Sequence, residues 1–600
     1  MLFGRRRFSG TAVVLILFVI FLWGGTGDRA SESGNTWGAS WAGSSAANKV
    51  ADDPNLIWRR LPLHFPVNPF KEIPNEELSP YPPTQHDFEK EDTDRRDVRL
   101  LRQEAVKKAF LRCWRSYRDR AWGRDELMPV SGQANDTFGG WGATLVDSLD
   151  TLWIMGLRDE FQEAVGAAIL IDFTNTTASL VNVFETTIRY LGGFIAAYDL
   201  SGDLRLLKKA KEVADMLYVA FDTENHMPVT RWNLTAAKLG QVQVPKEQAV
   251  VAEIGSLCME FTRLTLITGN PKYFDATQRI MEALEDQQMQ TYLPGMWPAV
   301  VNTKDLDFRS HSVYTLGALA DSTYEYLPKM QALTGGRLPA YERMYKLAME
   351  TAIRHNIYRP MIPDNKDILI SGQVDASTKD GKNTTTLVPL SQHLTCFAGG
   401  MFALGSRLFG LDDHMALGEK LTDGCIWVYK AMPLGIMPEW FVMIPCDDPK
   451  KCEWDEDQWK RSVLQSAGED VEDLDSAERI AAQKRIPPGF TSIPDPKYVL
   501  RPEALESVFL LYRMTGKVDL MDAGWAMFDA INTQTKTSLA NSALVDVTVA
   551  RIPEKSDSME SFFLGETLKY AYLLFSEPDV ISLDEYVFNT EAHPFKRARR

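Results

Sequence analysis

The chain has 600 residues, of which 45% are hydrophobic and 24% charged, and a formal net charge of −16. That is the composition of an ordinary globular protein. The acidic balance excludes nucleic acid as the expected partner and leaves neutral substrates open.

The N-terminus reads Arg5-Arg6-Arg7, then an apolar run from Ala12 to Trp23 inside an uncharged stretch from Phe8 to Gly25. A stretch of that length just crosses a bilayer, and the preceding basic cluster favours a cytoplasmic N-terminus. A cleaved signal peptide is the other reading, but Gly25-Thr26-Gly27 is a weak cleavage site. The expectation is a cytoplasmic tail at 1–7 and a signal-anchor transmembrane segment at 8–25, with the rest translocated. Residues 26–95 are rich in Ser, Gly, Pro and charge and read as a flexible stem, with Trp58, Leu61, Leu63 and Phe65 as candidates to dock part of it.

The body expected at 96–595 is dominated by helical periodicity from about 98 to 576. The pattern predicts fourteen helices, at 98–120, 145–156, 159–171, 180–200, 203–220, 247–268, 271–286, 310–329, 337–355, 391–409, 413–431, 501–515, 517–533 and 557–576. Many are joined by tight turns such as Ser201-Gly202-Asp203 and Gly269-Asn270-Pro271. Fourteen helices make seven pairs, which fits a closed ring of αα-hairpins around a central cavity. Residues 440–498 read as an acidic, peripheral insertion, Val545–Ala550 and Val587–Phe588 as extended, and 596–600 as a basic tail.

Sequons occur at Asn135, Asn175, Asn233 and Asn383 and agree with a lumenal location. Asn175, Asn233 and Asn383 are the expected glycosylation sites; Asn135 lies in a Gly-rich stretch that reads as buried. Cys446 and Cys452 flank a polar loop, Cys396 and Cys425 fall on successive predicted helices, and Cys113 and Cys258 sit in apolar stretches that suit buried thiols. Two disulfides and two thiols fit an oxidising compartment, while connectivity stays open at this level.

The chemistry lies in acids placed where helices should be apolar: Glu185, Asp321, Glu503, Glu506 and Glu566. Buried carboxylates are costly unless paired, hydrogen-bonded or bound to a cation. Three of them also have a plain reading. Glu185 and Arg189 are spaced for an i,i+4 ion pair, Glu503 follows Pro502 at a helix start, and Glu566 lies near Lys569. Together they suggest one acidic pocket, and paired carboxylates are what glycoside hydrolysis requires. Gly-rich aromatic loops at 138–142, 294–298 and 397–400 suit close approach and stacking of sugar rings, or tight packing at helix ends.

Longer motifs carry a resemblance. They are Gly-Gly-Trp-Gly at 139–142, Asp147-Ser148-Leu149-Asp150-Thr151-Leu152, Phe184-Glu185-Thr186-Thr187-Ile188-Arg189, Ala320-Asp321-Ser322 with Tyr324-Glu325-Tyr326, and His393-Leu394 with Cys396-Phe397. They continue with Gly435-Ile436-Met437-Pro438-Glu439, Arg501-Pro502-Glu503, Glu566-Thr567-Leu568-Lys569-Tyr570 and Asn589-Thr590-Glu591-Ala592-His593-Pro594. The chain resembles the class I α-1,2-mannosidases, glycoside hydrolase family forty-seven, in a fungal-like type II membrane form.

The resemblance implies an all-α (α/α)7 barrel of helical hairpins with a C-terminal β-hairpin segment plugging one end. It implies calcium-dependent, inverting removal of α-1,2-linked mannose from high-mannose N-glycans, by a monomeric catalytic domain in the endoplasmic reticulum or Golgi membrane. Residue by residue, it implies Glu185, Asp321, Glu439 and Glu503 as catalytic, with Glu185 or Asp321 as acid and Glu503 as base. Arg189, Leu319, His393, Arg501, Phe563 and Glu566 would bind substrate. Thr590 would ligate Ca2+ through its hydroxyl and carbonyl, with Glu503, Glu506, Glu566 and Glu591 holding the remaining ligand waters. Bridges 396–425 and 446–452 are implied. Members that remove one particular mannose carry Arg where this chain has Leu319, so broader trimming is expected. A catalytically silent mannose-binding lectin on the same scaffold is the rival reading; it would lack one of these carboxylates, and none is missing.

Overall fold

Two kinds of helix alternate along the chain. One kind is amphipathic. In Leu204–Tyr218 the buried positions Leu206, Leu207, Ala210, Val213, Ala214 and Leu217 form a single stripe, and Asp203 caps the start by accepting from Arg205 N–H. Pro271–Gln287 repeats the plan, with Asn270 as cap and Pro271 at the first position. The other kind is buried all round. Every residue from Ser322 to Thr334 is buried in Asp321–Thr334, and every residue from Ala504 to Met514 in Glu503–Thr515. A helix without a solvent face must be covered on all sides.

The covering is a ring, seen in a computed structural model that describes residues 54–75, 81–309, 311–379 and 381–598. The inner helices are Ala143–Asp147 with Leu149–Ile154, Gly192–Ser201, Cys258–Thr268, Asp321–Thr334, Phe397–Phe409, Glu503–Thr515 and Leu568–Leu574. Each packs on the next, and the last turn before Leu568 returns to the first. Each also packs on an outer helix; the long first outer helix, Thr93–Arg120, pairs with the last inner one and closes the barrel. The fold is therefore the expected (α/α)7 barrel. The described residues fall in the larger of two compact units, Ser44–Arg600.

Several boundaries differ from the sequence reading. The helix expected at 310–329 begins only at Asp321, because Val313–Thr315 is a strand paired with Gln373–Lys379. The helix expected at 557–576 begins at Phe563. The 440–498 segment contains helices Glu456–Ala467 and Leu474–Lys484, and its strands Trp440–Met443 and Phe490–Asp495 form a sheet with Leu390–Gln392. Residues 54–75 and 81–92, within the expected stem, lie along the barrel. Trp58 is buried against Trp232 with ring centroids 5.6 Å apart, Arg59 pairs with Asp215, and Thr84 N–H donates to Asp584 at 2.6 Å.

The expected anchor at 8–25 lies outside the described residues; among those described, no helix is long and apolar enough to cross a membrane. Both disulfides form, Cys396–Cys425 with Cα atoms 6.1 Å apart and Cys446–Cys452 with Cα atoms 5.5 Å apart. Cys113 and Cys258 are buried thiols, and burial pushes the Cys113 thiol up to about 11. Asn135, Asn175 and Asn383 are exposed, so Asn135 is not hidden as its glycines suggested; Asn233 is half-buried and caps Leu234–Lys238.

Candidate active site

The C-terminal hairpin supplies the floor. Tyr586–Phe588 pairs with Pro594–Lys596, and the loop between them reaches the inner helices. Asn589 Nδ2 donates to Ile188 O and Glu260 Oε1 at 3.1 and 2.7 Å, and Tyr326 Oη accepts from Thr590 N–H at 3.3 Å. His593 Nδ1 meets Asp150 at 2.8 Å, while Lys569 bonds Asp150 at 2.9 Å and Ala592 O at 2.7 Å. Gly192 makes this approach possible, since a Cβ there would stand 2.8 Å from Asn589 Nδ2.

Arg189 is the hub above that floor. It is 6% exposed. Its Nε donates to Glu185 at 2.9 Å, and its Nη1 reaches Ser561 Oγ at 3.1 Å, Asp147 at 3.4 Å and Glu591. The i,i+4 pair foreseen for Glu185 therefore exists, but the same guanidinium ties three further segments together. Arg189 lies in a π-helical turn, Thr186–Leu191, and Phe563 and Glu566 lie in another, Phe563–Thr567. Such turns displace side chains from the regular helical register and recur at functional sites. The pairing of Glu566 with Lys569 suggested by their spacing does not form; Lys569 is committed to Asp150 and Ala592.

Asp321 and Glu503 are each the first residue of an inner helix. Their environments diverge. Burial, reinforced by the nearby Glu325 and Glu503 charges, pushes the Asp321 carboxyl up to about 7. Burial also opposes ionisation of Glu503, but a hydrogen bond with His393 Nδ1 at 2.8 Å and the Arg501 charge outweigh it, and Glu503 is held below the ordinary carboxylate value. The other ring nitrogen of His393 meets Tyr429 Oη at 2.8 Å. Glu439 is 7% exposed and accepts from Arg501 Nε at 2.6 Å.

Cations are fewer than acids here. Arg189 serves Glu185, Asp147 and Glu591; Arg501 serves Glu439 and Glu503; Lys329 serves Glu325 and Glu506. Burial, with the charges of Glu503 and Glu506, raises Glu566 well above the ordinary range, and burial likewise raises Glu506. Excess buried negative charge is relieved by protons or by an added cation. Among the described residues no group of three His, Cys, Asp or Glu side chains is arranged to hold a metal. The hydroxyl and carbonyl of half-buried Thr590 are oxygen donors of the hard kind that calcium takes, and the surrounding carboxylates can hold water; the residues fit a calcium ion bound mostly through water.

Three of the eight described non-Gly residues with left-handed backbone lie at the same place. Leu319, Leu500 and Ala592 have φ of 76°, 69° and 56°, and each lies within three residues of Asp321, Glu503 or Thr590. Left-handed backbone at a non-Gly residue costs on the order of 1–3 kcal/mol and persists where surrounding structure over-determines it. Leu319 remains 48% exposed.

The structure thus links Glu185, Asp147 and Glu591 through Arg189, links Glu439 and Glu503 through Arg501, and joins His393 to Glu503. Sequence reasoning had not assigned roles to Asp147, Ser561, Lys329 and Glu260. Asp147 lay within a quoted motif, and Lys329 stands i+4 from Glu325, but Ser561 and Glu260 meet their partners only through the ring closure.

The family model described as Glycosyl hydrolase family 47 matches residues 109–597. The chain is 34% identical over 509 residues to "Mannosyl-oligosaccharide 1,2-alpha-mannosidase MNS1" of Arabidopsis thaliana, covering 83% of this chain and 79% of that protein. It is 35% identical over 500 residues to "Endoplasmic reticulum mannosyl-oligosaccharide 1,2-alpha-mannosidase" of Homo sapiens, covering 82% of this chain and 64% of that one. A solved structure, "alpha-1,2-mannosidase from Trichoderma reesei", superposes with a TM-score of 0.72 at 32% identity, over 83% of this chain and 99% of the other. With the ring of hairpins, the plugged floor and the matched span in agreement, the chain belongs to glycosyl hydrolase family 47.

Proposed function

We propose that the protein is a mannosyl-oligosaccharide 1,2-α-mannosidase that trims terminal α-1,2-linked mannose from high-mannose N-glycans, with inversion at the anomeric carbon. The reading is carried by the family match over residues 109–597, joined to two carboxyls at inner-helix starts: Glu503, hydrogen-bonded to His393 at 2.8 Å and held low, and Asp321, raised to about 7. Environments that push two acids apart assign the proton donor and the base.

Asp321 protonates the glycosidic oxygen as the bond to the anomeric carbon breaks. Glu503, oriented by His393, takes a proton from the water that attacks the opposite face. The products are free mannose of inverted configuration and the shortened glycan. Glu185 and Glu439, each locked to an arginine, orient sugar hydroxyls with Arg189 and Arg501. A calcium ion, when bound, neutralises the acidic cluster and binds sugar hydroxyls. Thr590 would hold it through hydroxyl and carbonyl, with Glu503, Glu506, Glu566 and Glu591 holding its waters; the calcium dependence of the family supports this.

The uncharged stretch at 8–25 and the sequons support a single-pass type II protein with its barrel in the lumen of the endoplasmic reticulum or Golgi. The human relative's name supports the secretory pathway. The test is incubation with a high-mannose glycan, with glycan mass and product anomer followed. Loss of single hexoses as the inverted anomer, halted by EDTA, is expected; an unchanged glycan mass overturns the proposal.

A further inference from the structure

One buried carboxylate outside the catalytic set collects an unusual number of donors. Asp125 is fully buried. Its Oδ2 accepts from Phe138 N–H and Gly140 N–H, each at 2.8 Å. Its Oδ1 accepts from Ala143 N–H at 3.1 Å and Tyr190 O–H at 3.0 Å. Two of these donors belong to the Gly-rich loop before the first inner helix, the third is that helix's first residue, and the fourth sits beside Arg189 in the π-helical turn. The loop admits few alternatives. Gly139 and Gly140 have φ of 100° and 75°, and a Cβ on either would stand within 3.0 Å of Thr176 or Thr177. A loop this constrained, pinned by one carboxylate to the turn that carries Arg189, presents one side chain to the pocket framework. That side chain is Phe138, half-buried, with its ring centroid 4.5 Å from the Arg189 guanidinium carbon. The Phe562 ring lies 5.9 Å from the same carbon.

We propose that Phe138 and Asp125 are positioning residues for the glycosidase reaction: Asp125 clamps the 138–143 loop to Tyr190, and the Phe138 face it presents fixes the Arg189 guanidinium that holds Glu185. The physical basis is that Arg189 reaches Glu185 through Nε and Ser561, Asp147 and Glu591 through Nη1, a division that holds only while the guanidinium plane keeps one orientation. The Phe138 ring face, over which the guanidinium carbon stands at 4.5 Å, holds that orientation. Cation–π contact with a desolvated arginine is worth up to about 2 kcal/mol, or about a thirtyfold effect, when it is expressed in the transition state. The inference rests on the mannosidase reading above.

The test is a double-mutant cycle on the full-length protein, reading kcat and KM on an α-1,2-linked mannobiose beside the melting temperature. Phe138→Leu, which keeps apolar bulk and removes the ring, is expected to lower kcat/KM by about ten- to thirtyfold, mostly in kcat, at near-unchanged melting temperature. Phe138→Tyr is expected to restore activity. In an Arg189→Lys background, Phe138→Leu is expected to add no further loss, because the planar cation it positions is gone. Equal losses in both backgrounds, or no loss in either, overturn the proposal. Asp125→Asn replaces an acceptor with a donor facing N–H and O–H groups, and a folded variant with full activity overturns the clamp; if that variant does not fold, the Phe138 cycle still decides. A wild-type protein inactive on the substrate sinks the mannosidase reading instead, which separates the two failures.

Discussion

Glu503 is an acid that burial alone would keep protonated, yet one imidazole and one guanidinium keep it ionised; Asp321 has no comparable help and stays near neutrality. The pH dependence of kcat/KM follows from the signs. The donor must be protonated, so activity falls as pH rises through about 7; the base must be ionised, so activity persists to pH values below the ordinary carboxylate range. Asp321→Asn is expected to cut turnover by about 10²–10⁴ and to abolish the alkaline limb, while Glu503→Gln cuts turnover similarly and leaves no acid limb of its own. A full pH profile of each variant checks this, and an alkaline limb surviving in Asp321→Asn would reassign the donor. Leu319 makes a second residue-level prediction. It is strained, exposed and without hydrogen-bond donors in its side chain, so it offers no fork to hold one particular glycan arm. Wild-type protein is expected to trim a nine-mannose glycan through several steps, and Leu319→Arg to slow the later steps relative to the first. A single eight-mannose isomer accumulating with wild-type protein would refute this.

At the scale of elements, what was legible in the sequence followed from periodicity and what was not followed from context. The fourteen barrel helices announce themselves because each must bury a stripe or its whole circumference. Glu456–Ala467 does carry a short stripe, Trp459, Val463 and Leu464, but the acidic, Pro-containing stretch around it reads as a peripheral loop. Val313–Thr315 continues the apolar pattern of Asp321–Thr334 in sequence, but Leu319 at positive φ separates the two, and no pattern of residue types marks that break. The candidate site was legible where motifs carried it, as at Glu185, Asp321 and Glu503. The sharing of Arg189 among Glu185, Asp147 and Glu591 was not, since those partners meet only when the ring and hairpin close. The stretch before the first outer helix was legible in part, since Trp58 stood out in the sequence as a docking residue. Its composition is that of a linker, yet Trp58 is 4% exposed and packs on Trp232. Trp58→Ala is expected to destabilise the barrel by about 3 kcal/mol, as large core truncations do. Denaturant unfolding monitored by circular dichroism checks it, and a loss below about 0.5 kcal/mol, as at surface sites, would return this stretch to the role of a tether.

For the whole molecule, the barrel's interior charge couples stability to pH and to metal. Burial raises Asp321 and Glu260 to about 7, and raises Glu506 and Glu566 as well. Carboxyls raised on folding bind more protons in the native than in the unfolded state between their two pKa values. The stability they contribute is complete below the unfolded value near 4 and is lost as pH rises through the folded value near 7, at up to about 1.4 kcal/mol per pH unit for each group. Groups held low, such as Glu503 and Asp150, act in the opposite sense only below the ordinary carboxylate range. Metal-free protein is therefore expected to lose stability between about pH 5 and about pH 8. A calcium ion at the proposed site would replace those protons, so its binding would release them and tighten as pH rises. The calcium-induced gain in melting temperature is expected to be larger at about pH 7.5 than at about pH 5.5. Thr590→Ala, which removes a hydroxyl from the hairpin tip but none of the carboxyls, should shrink that gain at both values while leaving the metal-free pH slope intact. Melting curves with EDTA and with excess calcium at several pH values separate these terms. A calcium gain that is the same at every pH would break the link between the acidic cluster and the metal, and a gain untouched in Thr590→Ala would remove Thr590 from the site.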